Sequence, residues 1–267
     1  MQELLGRFEP CGNRPAIRVF GNECGFPSAL EYVDVPTPRP GEGEVLVKAD
    51  TIGVSMPEVL VRKGVYAWMP PLPAIPGIEL AGTIVEQGSS VSELAFGQPV
   101  FVSARDLPVR AGCYAEYIAV PARAAHPLPA GCSLEAAACL SNYQVAYHLL
   151  YTAARGVTAE SVLIHTAAGG VGSAAVQLAL IAGMKVIGVA GSEAKQRVVE
   201  ALGAQRAIDY RGEDVITRVN ENPPLYPRDT EVRLTRRRRE ADSNLQFRVD
   251  GAVETGHRSQ RSHRIRR

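Results

Sequence analysis

The stretch "TAAGGVGS", residues 166–173, decides the fold of this chain. It is preceded by the apolar run "SVLIH" (161–165) and followed by "AAVQLALIAG" (174–183), whose apolar residues recur at a helical period. Two readings are open from the octapeptide alone: a tight turn between core elements, or a backbone cradle that offers a dinucleotide pyrophosphate to a helix N-terminus. In the G-x-G-x-x-G frame the positions are Ala167, Gly169 and Gly172, so alanine replaces the first glycine. Context favours the cradle. "KVIGVAG" (185–191), "SEAKQRVVEALGA" (192–204) and "RAIDY" (206–210) continue the alternation of strand and helix, which argues a parallel sheet with right-handed crossovers.

Upstream the text is different. "AIRVF" (16–20), "EVLVKADTIGV" (44–54), "ELAGTIVEQG" (79–88), "QPVFVSA" (98–104) and "CYAEYIAV" (113–120) are short β-like pieces punctuated by Gly and Pro. The stretches "VPTPRPGEGE" (35–44) and "WMPPLPAIPG" (68–77) hold too much proline for helix or central strand and are expected as extended loops. Near residue 129 the character turns helical, with Ser133 placed to cap a helix and Glu135 in its first turn. The fold class is therefore α/β, a β-rich domain followed by a doubly wound parallel one.

Composition bounds the function. The 46% apolar and 21% charged fractions are those of a soluble globular protein, and a net charge of +1 gives no general attraction to nucleic acid or membrane. The balance hides an asymmetry: residues 222–267 carry 12 arginines and 6 acidic residues, with few apolar residues and no sustained period. That segment reads as a disordered tail. Cysteines at 11, 24, 113, 132 and 139 form no CxxC pair and are expected as reduced thiols in a cytoplasmic protein. The amino terminus lacks a signal-type apolar region, and the apolar stretch from Ala174 to Ala190 is broken by Gln177, Gly183 and Lys185, so no membrane span is expected.

The end of the second strand reports which dinucleotide fits. An acid there would bind the ribose hydroxyls of NAD. Here the tip is Gly191, with Ser192 and Lys195 beyond it, so repulsion against a 2′-phosphate is removed and a hydroxyl and an ammonium are supplied. NADP(H) is favoured over NAD. The plainer alternative makes Ser192 only a helix cap and Lys195 a solvated residue.

The two halves together resemble the medium-chain dehydrogenase/reductase superfamily, in its zinc-free, zeta-crystallin-like quinone oxidoreductase branch. The resemblance is carried from residue 16 to 220 by "IGVSMPEVLVRKGVY" (52–66), "PGIELAGTIVEQGSSV" (76–91), "CYAEYIAV", "NYQVAYHLL" (142–150), "AAGGVG" (167–172), "AGSEAK" (190–195) and "AIDY" (207–210). It implies an amino-terminal extension (1–15), a GroES-like substrate domain (16–128), a partial NADP-binding Rossmann domain (129–220) and the Arg-rich tail (221–267), with the active site in a cleft between the domains. The family implies Ala168, Gly169, Gly170, Val171 and Gly172 at the pyrophosphate, and Gly191, Ser192, Lys195 and Tyr210 at the 2′-phosphate. On the substrate side it implies Ser55, where many relatives have Asn, and Tyr66; either could donate a proton or orient a quinone oxygen, and Tyr66 could equally only cover core. No metal is expected, because Val54, Ser55 and Ile78 stand where zinc relatives carry ligands.

The remaining residues have structural readings. Glu58 and Arg62 are expected to pair across one helical turn. His148 and His165 are expected in the core, as are Cys113, Cys132 and Cys139 as small apolar residues. Val145 departs from the threonine of many relatives. The family's Rossmann domain continues beyond "IDY" into a second half that the text after Asn220 does not supply, which suggests a truncated or frame-shifted product. The expected activity is NADPH-dependent, metal-free reduction of a small quinone or enone, with an enoyl thioester as another substrate class. The alternatives are a non-catalytic NADPH-binding fragment and, less favoured than a solvated tail, an Arg-rich nucleic-acid arm. The sequence leaves the oligomeric state open; a homodimer is the assembly common among the relatives it resembles.

Overall fold

The computed structural model describes residues 13–19, 25, 27–153 and 159–221. The tail expected over 221–267 therefore lies outside the described residues from 222 onward. Packing divides the chain into two compact units, Met1–Gln144 and Val145–Arg267.

The first unit is a curled antiparallel sheet. Strands β1 (Asn13–Val19) and β2 (Leu30–Pro36) pair with each other. Five more, β3 (Glu44–Ile52), β4 (Glu79–Gln87), β5 (Pro99–Ser103), β6 (Tyr117–Pro121) and β7 (Ala125–Pro127), lie in the order β6-β3-β4-β5-β7. Alternation makes this sheet: Val45 and Val47, Val100 and Val102, two residues apart, send side chains to one face, where Leu80, Ile84 and Val120 meet them in a fully buried core. Each such side chain removed from water contributes about 1.5–3 kcal/mol. Register shifts at Leu46/Val47 and Ala49/Thr51 bend β3 against β4. At the same place a Cβ on Gly82 would stand 2.1 Å from the Lys48 carbonyl oxygen, so only glycine lets the strands approach. Helix α1 (Met56–Arg62) follows β3, and α2 (Leu134–Ala137) is capped by Ser133, whose hydroxyl accepts from the Ala136 amide at 3.3 Å. Helix α3 (Leu140–Tyr147) then runs from the first unit into the second, ending in a π-type turn, His148–Ala153.

The second unit has the expected alternation. Strands β8 (Ser161–His165), β9 (Lys185–Ala190) and β10 (Arg206–Asp209) are parallel in the order β10-β9-β8, joined by helices α4 (Gly170–Ile181) and α5 (Glu193–Ala201), with α6 (Val215–Asn220) after β10. Leu163, Ile187, Val189 and Ile208 form the core on one face, closed by Val215 and Val219 of α6. Helix α4 buries Gly172, Ala174, Ala175, Val176 and Ala179. These small residues let the helix axis lie close to β8 and β9 and aim its open end along the turn that precedes it.

Candidate functional site

The turn from β8 into α4 is built on a backbone that few sequences tolerate. Thr166 adopts φ +56, a left-handed conformation rare outside glycine. The Ala167 amide donates to the Val189 carbonyl at 3.0 Å, tying the turn to β9, and the Gly169 amide donates to the Thr166 carbonyl at 2.9 Å. A Cβ on Gly172 would lie 2.1 Å from that same Thr166 oxygen, so the third glycine of the frame is fixed by steric contact. The first i to i−4 bond of α4 runs from the Ser173 amide to the Gly169 carbonyl at 2.7 Å. The amides of Gly170, Val171 and Gly172 therefore precede the helical ladder, at its electropositive end. Gly169, Gly170, Val171 and Gly172 line a cavity of about 250 Å³ with His165 and Thr166 and the apolar side chains of Leu149, Ile164 and Ala175. Ala168 belongs to the turn without lining it.

At the tip of β9 the structure brings Gly191, Ser192 and Tyr210 together. A Cβ on Gly191 would meet the Tyr210 ring and hydroxyl at 2.7 Å, so the phenol lies on the strand tip where an acidic side chain would otherwise project. Ser192 caps α5, its hydroxyl accepting from the Lys195 amide at 3.4 Å. Lys195 is exposed in the first turn of α5. The carboxylate of Glu193, also in that turn, is paired with Arg197 at 2.8 Å.

In the first unit Ser55 stands at the N-cap of α1. Its amide and its hydroxyl both donate to Glu58 Oε2, at 3.0 and 2.9 Å. Tyr66 is half-buried beyond the end of α1 and meets Trp68 edge to face.

Comparison with known proteins agrees with both units. Residues 41–130 match the alcohol dehydrogenase GroES-like domain, and residues 170–223 match the family described as zinc-binding dehydrogenase. A human quinone oxidoreductase is 35% identical over 208 residues, covering 77% of this chain and 61% of its own length. The crystal structure of Escherichia coli quinone oxidoreductase complexed with NADPH aligns at TM-score 0.70 with 32% identity, covering 78% of this chain and 62% of that one. The Pseudomonas syringae quinone oxidoreductase aligns at TM-score 0.70 with 34% identity over the same shares. The chain is a quinone oxidoreductase-like protein of the medium-chain dehydrogenase/reductase superfamily. It spans about 61–62% of the length of these relatives.

The quinone oxidoreductase-like chain departs from its sequence reading at several side chains. Glu58 does not pair with Arg62. It is 6% exposed; besides Ser55, it accepts from the Ile78 amide at 3.0 Å through Oε1. Arg62 turns the other way and donates to the Gly25 carbonyl at 2.7 Å. The i to i+4 spacing allowed the pair, but three local donors satisfy a buried carboxylate better than one mobile guanidinium. His148 is exposed rather than in the core, and Cys132 and Cys139 are exposed as well. These lie where a helix or turn leaves one side uncovered, which apolar neighbours in sequence do not reveal. Cys113 is buried, and burial with the nearby Glu58 and Glu79 charges pushes its thiol up, so it is an inert packing residue.

Two features escaped the sequence. Glu79, 2% exposed, accepts the Ser141 amide at 2.9 Å and so ties β4 to the start of α3. Burial raises its pKa above the ordinary carboxylate value, the bond from Ser141 opposes this, and the Glu58 charge adds to it. Arg211 lies over the Tyr210 ring, 6.0 Å from its centroid, placing a second cation beside the Gly191 tip. An Arg following "IDY" was the only signal of it. Among the described residues no three His, Cys, Asp or Glu side chains converge to hold a metal, and no helix is long and apolar enough to cross a membrane.

Proposed function

We propose that this protein is an NADPH-dependent, zinc-free reductase of small quinones or enones, with residues 16–128 serving the substrate and 129–220 the cofactor. One observation carries the reading: Gly170, Val171 and Gly172, whose amides precede the ladder of α4, line a cavity at the N-terminus of that helix. The residues present fit the cofactor at both ends of its adenosine half. The turn amides would hold the diphosphate. Ser192, Lys195, Tyr210 and the neighbouring Arg211 would hold the 2′-phosphate, with Gly191 leaving room for the Tyr210 ring and Glu193 neutralised by Arg197. The solved complexes of relatives with NADPH support the same choice.

The cofactor, when bound, supplies the reducing hydride. The chain's own part is to bind and polarise the acceptor oxygen. Ser55 commits its hydroxyl proton to Glu58, so toward a ligand it offers lone pairs and orients. That leaves the Tyr66 hydroxyl as the donor to the substrate oxygen. A cytoplasmic setting fits the free thiols of Cys113, Cys132 and Cys139.

The test is a titration of the purified chain with NADPH and NADH, followed by turnover with a small quinone. Preferential NADPH binding and NADPH oxidation support the reading; equal or absent binding of both removes it. The commitment of the Ser55 hydroxyl to Glu58 favours a second reading, NADPH binding without catalysis. It predicts cofactor-dependent thermal stabilisation with no turnover.

A further inference from the structure

Thr166 is an exception to the way this chain handles left-handed backbone. Among the described residues, nine of the eleven positions with a left-handed φ are glycine, and the two others are Ser90 at +67 and Thr166 at +56. Ser90 uses its hydroxyl inside the protein, donating to Glu42 Oε1 at 3.0 Å. Thr166 is branched at Cβ, which makes a left-handed backbone costlier still, and its hydroxyl has no hydrogen-bond partner among the described residues. The turn itself imposes the conformation. The Thr166 carbonyl accepts from the Gly169 amide at 2.9 Å, and the next amide, of Ala167, is held by the Val189 carbonyl at 3.0 Å. Glycine would meet that geometry without strain, so the threonine side chain is kept against the stability of the fold. The residue is exposed and lines the cavity with Gly169, Gly170, Val171 and Gly172, and no acidic side chain lines it.

We infer that Thr166 is a further cofactor-binding residue, its hydroxyl donating a hydrogen bond to a diphosphate oxygen of the bound dinucleotide. The inference rests on the proposed NADPH reading and adds to it a side-chain donor outside the G-x-G-x-x-G frame. Three properties carry it. A diphosphate oxygen only accepts, and a threonine hydroxyl rotates its proton to meet an acceptor. A bond to a charged oxygen is shorter and stronger than one between neutral groups. Backbone strain held in the free protein is offset by that bond when the ligand arrives, which gives a strained residue a reason to persist at a binding turn.

The full chain is titrated with NADPH and with NADH, and each variant is also melted without cofactor. Thr166→Val keeps the branched shape and removes only the hydroxyl. It is expected to weaken both cofactors about tenfold, because the diphosphate is common to them, with little change in melting temperature. Thr166→Ser keeps the hydroxyl and should bind both within about twofold of the wild type. Thr166→Gly relieves the strain, so it should melt no lower than the wild type while binding as weakly as Thr166→Val. Unchanged affinity in Thr166→Val overturns the inference, as does equal weakening in Thr166→Ser. A Thr166→Gly variant that melts several degrees lower assigns the side chain to packing and overturns it as well. The wild type judges the cofactor reading separately. If wild type and Thr166→Val bind equally, only the role of the hydroxyl falls; a wild type that binds neither dinucleotide removes the cofactor reading and this inference together.

Discussion

Gly172 shows how a single residue fixes a site. Its missing side chain is demanded by the Thr166 carbonyl, 2.1 Å from where a Cβ would stand. Gly172→Ala is expected to destabilise the fold by about 1–3 kcal/mol, because backbone must shift to admit a methyl group. In thermal unfolding the variant should melt earlier, and it should lose most NADPH stabilisation. Glu79 makes a prediction with a sign. Its folded-state pKa is raised above the ordinary value, so the folded protein binds the proton more tightly than the unfolded chain. Stability is then greatest below the ordinary carboxylate pKa and falls as pH rises toward the raised one. Glu79→Gln keeps an oxygen for the Ser141 amide and carries no charge. Its melting temperature should gain on the wild type as pH rises through that window, and a difference independent of pH would refute the buried-charge account. Gly172 was legible in the sequence because the glycine spacing offers the frame and the strand before it and helix after it favour the cradle. Glu79 was not, because its partner at Ser141 is 62 residues away.

At the scale of elements, the N-termini of α1 and α5 hold Ser55 and Ser192 as their caps. Glu58 joins the start of α1 to the start of β4 by accepting from Ser55 and Ile78. Glu58→Ala leaves both amides without that acceptor, one of them in the core, and is expected to lower stability by about 2–4 kcal/mol in urea unfolding. The sequence placed Glu58 and Arg62 on one helical turn and so offered Arg62 as the partner, since periodicity describes one element and Ile78 belongs to another. The first turn of α5 sets cofactor choice under the proposed function. Lys195→Ala should weaken NADPH about tenfold and leave NADH unchanged, measured by titration. Equal loss for both cofactors would assign Lys195 to stability alone. The capping role of Ser192 was one of two roles read from sequence, and the structure places its hydroxyl at the cap while leaving it beside Gly191 and Tyr210.

Across the whole molecule, an antiparallel sheet and a parallel sheet give two compact units, each with its own core. A ligand held by the second unit should stabilise that unit. In calorimetry NADPH at a hundredfold excess over its Kd should add about 2.7 kcal/mol to the unfolding transition of the second unit and less to that of the first. Uniform stabilisation of a single transition would mean that the units unfold together. The sequence by itself determined the order of strands and helices, the parallel character of the second sheet and the glycine turn, because periodicity, glycine spacing and crossover handedness are local properties. Only the tertiary structure decided which buried carboxylates meet which amides, and that Tyr210 covers Gly191. Those pairings join residues far apart in the chain, and burial and hydrogen-bond satisfaction choose among them only once the sheets have brought the elements together.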